Sequence, residues 1–269
     1  MSLRVSGQAV LRIFVYAWLI HASSTGSVFA DWTRFRGPNG SGVSTDKDPL
    51  PVNWTATKNL PWKLKLPGPG SSSPIVVGDR VFITYWSGYG IDRSNPGDLK
   101  QLRRHLICIN RDTGKIRWSK AVEAVFPETE YSGMITEHGY ASHTPVSDGQ
   151  HVYAYFGKSG ALSFDMNGKQ LWQRRIGTES DSFGRGSASS PILYKDLVIV
   201  TATAEGEALV GLNKETGQEV WRQEAAGFNA TWGTPALVQV DEKRIDLAIA
   251  VPKEIWGLNP YTGKLRWYA

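Results

Sequence analysis

Apolar residues fall in short runs of three to five along the chain, separated by turn-forming residues, and this pattern predicts strands in pairs. Ile75-Val76-Val77 and Val81-Phe82-Ile83 flank Gly78-Asp79-Arg80, a tight antiparallel hairpin signal. Leu106-Ile107-Cys108-Ile109 then leads through Thr113-Gly114 to Trp118. The same order returns three times. A second unit opens at His143-Thr144-Pro145, turns at Asp148-Gly149, runs through Val152 to Phe156 and Leu162 to Asp165, and closes on Trp172. The third opens at Ser189-Ser190-Pro191 and closes on Trp221; the fourth opens at Gly233-Thr234-Pro235 and closes on Trp267.

In every unit a glycine stands four residues before the tryptophan: Gly114 and Trp118, Gly168 and Trp172, Gly217 and Trp221, Gly263 and Trp267. Successive tryptophans are 46 to 54 residues apart, at or just above the repeat length of a propeller blade. Four strands per repeat is the content of one blade. Each repeated residue type has a physical use. Proline is tolerated at the start of a strand, where no amide donor is needed. Glycine takes turn conformations closed to residues with a β-carbon, and Asn or Asp caps the turn beside it. The expected fold is all-β, a propeller of four-stranded antiparallel blades near residues 71–120, 141–174, 186–223 and 231–269. About four blades are present, and the abrupt end after Trp267 predicts a piece of a ring of seven or eight. Residues 31–70 form an arm whose alternating Trp62-Lys63-Leu64-Lys65-Leu66 predicts one closing strand.

These units resemble the tryptophan-docking repeat of pyrroloquinoline quinone (PQQ) propellers, Ala-x-Asp-x-x-Thr-Gly-Lys-x-x-Trp. The likeness rests on Cys108 to Trp118, Gly211 to Trp221 and Gly257 to Trp267, and spans about Ser71 to Ala269. Asp31-Trp32 through Gly42 is also similar to the mature start of exported propellers of planctomycete type. The resemblance implies that each tryptophan stacks on the glycine of a neighbouring blade. The sequence departs from the pattern at Cys108, Ser163, Gly211 and Gly257, which replace alanine, and at Asn110, Asn213 and Asn259, which replace aspartate. Quinoprotein dehydrogenases of the family hold PQQ beside calcium or a lanthanide, often with a disulfide between adjacent cysteines. One cysteine forbids that disulfide, and no Asp or Glu pattern maps onto the metal site. The resemblance therefore points to the noncatalytic relatives, among them the outer-membrane assembly lipoprotein.

Composition agrees with many tight turns and large aromatics between layers, with 28 glycines and 11 tryptophans in 269 residues. The formal charge of +5 is too diffuse for a nucleic-acid interface, which needs a clustered basic face. Cys108 sits in an apolar strand and reads as a buried, inert thiol. Arg4 and Arg12, the apolar run Ile13 to Ile20, and Val28-Phe29-Ala30 read as an export signal cleaved after Ala30, with an apolar core too short to span a bilayer.

Candidate chemistry is sparse. Glu137, His138 and His143 lie where a loop approaches the channel mouth, and Arg185 can present a guanidinium to an anion there. The histidine spacing fits no metal motif. Ser189 and Ser190 lack a nucleophile turn, which excludes a serine hydrolase. The sequence thus predicts no catalytic, cofactor or metal residues, with PQQ and calcium as the alternative cofactors. The expected role is an exported, noncatalytic binding or scaffold module. Its loops would hold a protein or saccharide partner, with a possible peripheral association with the cell envelope. The alternatives are a fragment of a PQQ-dependent oxidoreductase and an outer-membrane assembly factor.

Overall fold

A computed structural model describes residues 31–44, 47, 49–181 and 183–269; the expected export signal lies outside the described residues. Among the described residues sixteen strands form four antiparallel sheets, each with its strands side by side in chain order. The first holds β1 (Ile75–Val77), β2 (Arg80–Ser87), β3 (Arg103–Asn110) and β4 (Ile116–Glu123). The second holds β5 (Val146–Ser147), β6 (His151–Tyr155), β7 (Ala161–Asp165) and β8 (Gln170–Arg174). The third holds β9 (Ile192–Tyr194), β10 (Leu197–Ala202), β11 (Ala208–Asn213) and β12 (Glu219–Glu224). The fourth holds β13 (Ala236–Gln239), β14 (Ile245–Val251), β15 (Glu254–Leu258) and β16 (Leu265–Tyr268).

Stacking explains why the inner strands read as continuous apolar runs. Successive side chains of a strand point to opposite faces, and on β10 both faces meet a neighbouring sheet. Val198, Val200 and Ala202 pack with Tyr153 and Tyr155 of the second sheet. Leu197 and Ile199 pack with Leu247 and Ile249 of the fourth. Phe82 and Leu106 likewise meet Val152 and Phe164 across the first joint. In the first three sheets the fourth strand is the most exposed, as expected of an outer edge, and in the fourth sheet β13 and β16 are equally exposed.

The joints are closed by the repeated motif. Trp118 lies over Gly168, Trp172 over Gly217 and Trp221 over Gly263, so that a β-carbon on any of these glycines would come within 2.4 to 2.7 Å of the indole. All three glycines have φ between +69° and +82°, the left-handed region that favours glycine. The indole N–H of Trp118 donates to the Met166 carbonyl at 3.0 Å, and that of Trp172 to the Lys214 carbonyl at 2.8 Å. Asn213 holds the turn in shape, its Oδ1 accepting from the amides of Glu215 and Thr216. Across the sheet, each tryptophan pairs with the residue standing for the family's alanine: Cys108, Ser163, Gly211 and Gly257. The space under an indole admits only a small side chain, which accounts for these substitutions. Burial pushes the Cys108 thiol up to about 11, so this cysteine is a packing residue.

The arm uses the same joint. Trp62 lies over Gly114 and donates to the Arg111 carbonyl at 2.6 Å, the place a preceding blade's tryptophan would take. Trp62, Leu64 and Leu66 pack on Tyr85, Ile107 and Ile109. The expected closing strand is extended and alternates in burial, but it pairs with no other strand among the described residues. At the other end Trp267 lies on Gly257 of its own sheet, as Trp221 lies on Gly211, and donates to buried Asp246 at 2.7 Å. Among the described residues no helix is long and apolar enough to cross a membrane.

The joint predicts a contrast between two tryptophans of identical motif position. Trp172→Ala removes an indole from between two sheets and lowers unfolding free energy by about 3–5 kcal/mol. Trp267→Ala, whose indole covers only its own sheet, costs less than half as much. Urea unfolding of the two variants measures both.

Candidate functional site

A second belt of contacts links the blades at their openings. Ser73, Thr144, Ser190 and Thr234 each precede the proline that starts a first strand. The Ser73 amide donates to Thr144 Oγ1 at 2.9 Å, the Thr144 amide to Ser190 Oγ at 3.0 Å, and the Ser190 amide to Thr234 Oγ1 at 2.9 Å. Across this belt lies the arm. Trp32 exchanges two backbone hydrogen bonds of 2.9 Å with Val76, and the Thr33 carbonyl accepts from the Ser147 amide. The arm then curls back, with Trp32 covering Gly37 and the Arg34 guanidinium lying on Gly40.

Between arm and belt is a groove of about 570 Å³, a size suited to a small ligand. Arg34, Arg36, His138, Trp232 and the belt residues Thr144, Ser190 and Thr234 line it. No aspartate or glutamate among the described residues does. Arg34 is only 9% exposed, and its Nε has no hydrogen-bond partner among the described residues. Burial lowers its pKa, since no neighbouring anion offsets the desolvation.

Beside the groove, sharing His138 with it, is a small polar cavity of about 30 Å³, room for a water molecule. His143 Nε2 is 3.0 Å from Ser187 Oγ, and Ser187 donates to Glu205 at 2.5 Å. Tyr155 donates to the other oxygen of Glu205 at 2.8 Å. Arg104 pairs with Glu128 at 2.6 Å, both side chains 6% exposed, and Lys158 donates to Ser180 and to the Pro127 carbonyl. Burial pushes His143 down to about 3, helped by the charges of Arg104 and His138, so the imidazole is neutral. Burial raises Glu205, against the pull of its two hydroxyl donors.

The four residues expected at the channel mouth are not one ligand shell. His138 lines both cavities; its Nε2 is 2.7 Å from the Arg185 carbonyl and its Nδ1 2.9 Å from Ser142 Oγ. His143 lines only the buried cavity. Glu137 ends on α1 (Ile135–His138), exposed and 3.8 Å from Arg93. The Arg185 guanidinium lies against the rings of Phe183 and Trp232. Sequence reading missed Arg34, Arg36, Arg104 and Glu205. For Glu205 a signal exists: a carboxylate in the short connection between the apolar strands β10 and β11, on α2 (Thr203–Gly206). Elsewhere, Asp148, His151 and Glu215 bring ligand atoms within 4.8 Å of one another, but the Lys214 ammonium sits 2.9 Å from Asp148 and occupies the carboxylate.

A neutral buried histidine makes stability acid-sensitive. The unfolded chain protonates His143 near its ordinary 6.5, the folded chain only near 3. Its contribution is therefore complete above pH 6.5 and is lost as pH falls toward 3. Relative to His143→Gln, the wild-type chain loses up to about 1.4 kcal/mol per pH unit across that window, read from urea unfolding at several pH values.

Among solved structures, quinohemoprotein alcohol dehydrogenase from Comamonas testosteroni is similar at 15% identity and a TM-score of 0.59, over 89% of this chain and 41% of that one. BamB from Moraxella catarrhalis is similar at 17% identity and a TM-score of 0.41, over 61% and 44%. A europium-containing methanol dehydrogenase follows at 14% and 0.48, over 72% and 40%. The chain spans about two fifths of the length of these proteins. No curated protein matches its sequence. The family model described as outer membrane protein assembly factor BamB matches residues 99–230 and 180–269, well over half of the chain. With four sheets joined by tryptophan and glycine, the chain belongs to that family of PQQ-type β-propellers.

Proposed function

We propose that the protein is an exported, noncatalytic binding module that presents the groove between its arm and the blade openings to a partner. The observation that carries this reading is the groove's charge: two guanidiniums line it, and no described carboxylate does. A quinone centre with calcium needs the opposite, because calcium takes six to eight oxygen ligands, carboxylates prominent among them. In the adjoining cavity, which has room for a water molecule, the buried carboxylate of Glu205 is capped by the hydroxyls of Ser187 and Tyr155 and that of Glu128 is paired with Arg104. The described residues do not fit that centre. A binding role for the whole protein also agrees with the family's description as an assembly factor. Export rests on the amino-terminal pattern of Arg4, Arg12 and Ile13 to Ile20, with the envelope location that the family description carries.

Two other readings have their own support. The fold likeness to a quinohemoprotein alcohol dehydrogenase favours a quinoprotein, and the family description favours outer-membrane assembly itself. Titration of the purified chain with PQQ and calcium, followed by dye reduction with alcohols and sugars, separates them. The expected result is no saturable quinone binding and no turnover; binding with turnover overturns the noncatalytic role. Recovery of outer-membrane assembly components in a pull-down selects the assembly reading.

A further inference from the structure

We propose that the groove is a binding site for a small sugar acid, with Arg34 and Arg36 holding its carboxylate. The proposal deepens the binding role above and rests on it. Three observations converge on this chemistry. First, neither guanidinium has a hydrogen-bond or ion-pair partner among the described residues, and Arg34 is nine-tenths buried with its Nε unpartnered. Gly40 leaves the Arg34 guanidinium its space, since a β-carbon there would lie 2.8 Å from Nη2. An unpaired buried guanidinium is costly, and a carboxylate is the group it pairs with in a fork of two hydrogen bonds.

Second, the belt residues that line the groove have hydroxyl donor capacity unspent. Thr144 Oγ1, Ser190 Oγ and Thr234 Oγ1 each accept a backbone amide, and none donates its own proton to a described residue. A hydroxyl both donates and accepts, so three O–H donors remain for a ligand rich in oxygen acceptors. Trp232 adds a flat apolar wall, its N–H already given to the Gly186 carbonyl at 2.9 Å. Carboxylate, hydroxyls and a face to stack describe a uronic acid.

Third, the arm already takes main-chain groups of β1 and β5, two of the four strands at the blade openings. Extended peptides bind chiefly by main-chain pairing with an open strand edge. Here β1 is bridged by Trp32, and the Ser147 amide of β5 is taken by the Thr33 carbonyl. With those main-chain groups spent, recognition falls mainly to the guanidiniums, hydroxyls and indole of the lining, which favours a compact polyhydroxy acid of the size this volume admits.

The test is calorimetric titration of the purified full chain with sodium D-glucuronate, D-glucose, sodium phosphate and an acidic peptide with a free carboxyl terminus. Glucuronate is expected to bind saturably, D-glucose at least about tenfold more weakly, and Arg36→Gln to weaken glucuronate by about tenfold or more. Arg36 is exposed, so this variant tests the site without disturbing the core. Arg34→Lys, which keeps the charge and loses the fork, is expected to weaken glucuronate while its melting temperature stays near wild type. Glucuronate binding no tighter than glucose, or equal in Arg36→Gln, overturns the proposal. Phosphate or the peptide binding as tightly as glucuronate overturns the sugar-acid assignment. Quinone-dependent dye reduction measures a different event, so turnover would sink the noncatalytic reading while this titration stood on its own result.

Discussion

The structure depends on an indole laid flat on a glycine that only the left-handed backbone region accommodates. Gly217 shows the constraint from both sides: its φ of +69° disfavours any side chain, and a β-carbon would lie 2.7 Å from Trp172. Apolar burial alone is nondirectional, but the indole N–H donating to the Lys214 carbonyl gives the joint an orientation. The same unit serves between the first three sheets and, through Trp62, between arm and first sheet. Stability is then a sum of neighbouring joints, as in repeat proteins generally.

Where the joint changes, so does its chemistry. Trp221 covers Gly263, yet its N–H has no partner among the described residues. In the fourth sheet Asp246 takes the N–H of Trp267 together with Arg244 and Arg266, and these donors hold its carboxyl well below the ordinary range. The far face of β14 also carries Asp246, Ala248 and Ala250 in place of the large apolar residues that β10 shows on both sides.

Strand positions, turns and joints were legible in the sequence because they recur: Thr216-Gly217 with Trp221 says locally what the fold needs globally. The site was not legible, because its residues are united by stacking and not by spacing. Arg34 lies 200 residues before Thr234, and no period connects them. Ser189-Ser190-Pro191 showed its proline as a strand start, while the hydroxyl before the proline showed no purpose until its partner Thr144 was beside it. Glu137 and His143 share one short loop in sequence but part company in space, one exposed on a helix and the other sealed beside Tyr155. Burial, which the sequence does not print, then decides that His143 is neutral.

The hydroxyl belt has a consequence for the geometry of the whole stack. Two greasy sheets can slide across each other at little cost, because apolar contact has no preferred height. A chain of amide-to-hydroxyl bonds at one fixed residue per blade removes that freedom, setting the rise from each sheet to the next. The arm crosses the first of these steps, one short segment bridging β1 through Trp32 and β5 through Thr33 at once. The serines and threonines before the prolines act as the spacers of the stack, and the tryptophans as its clamps.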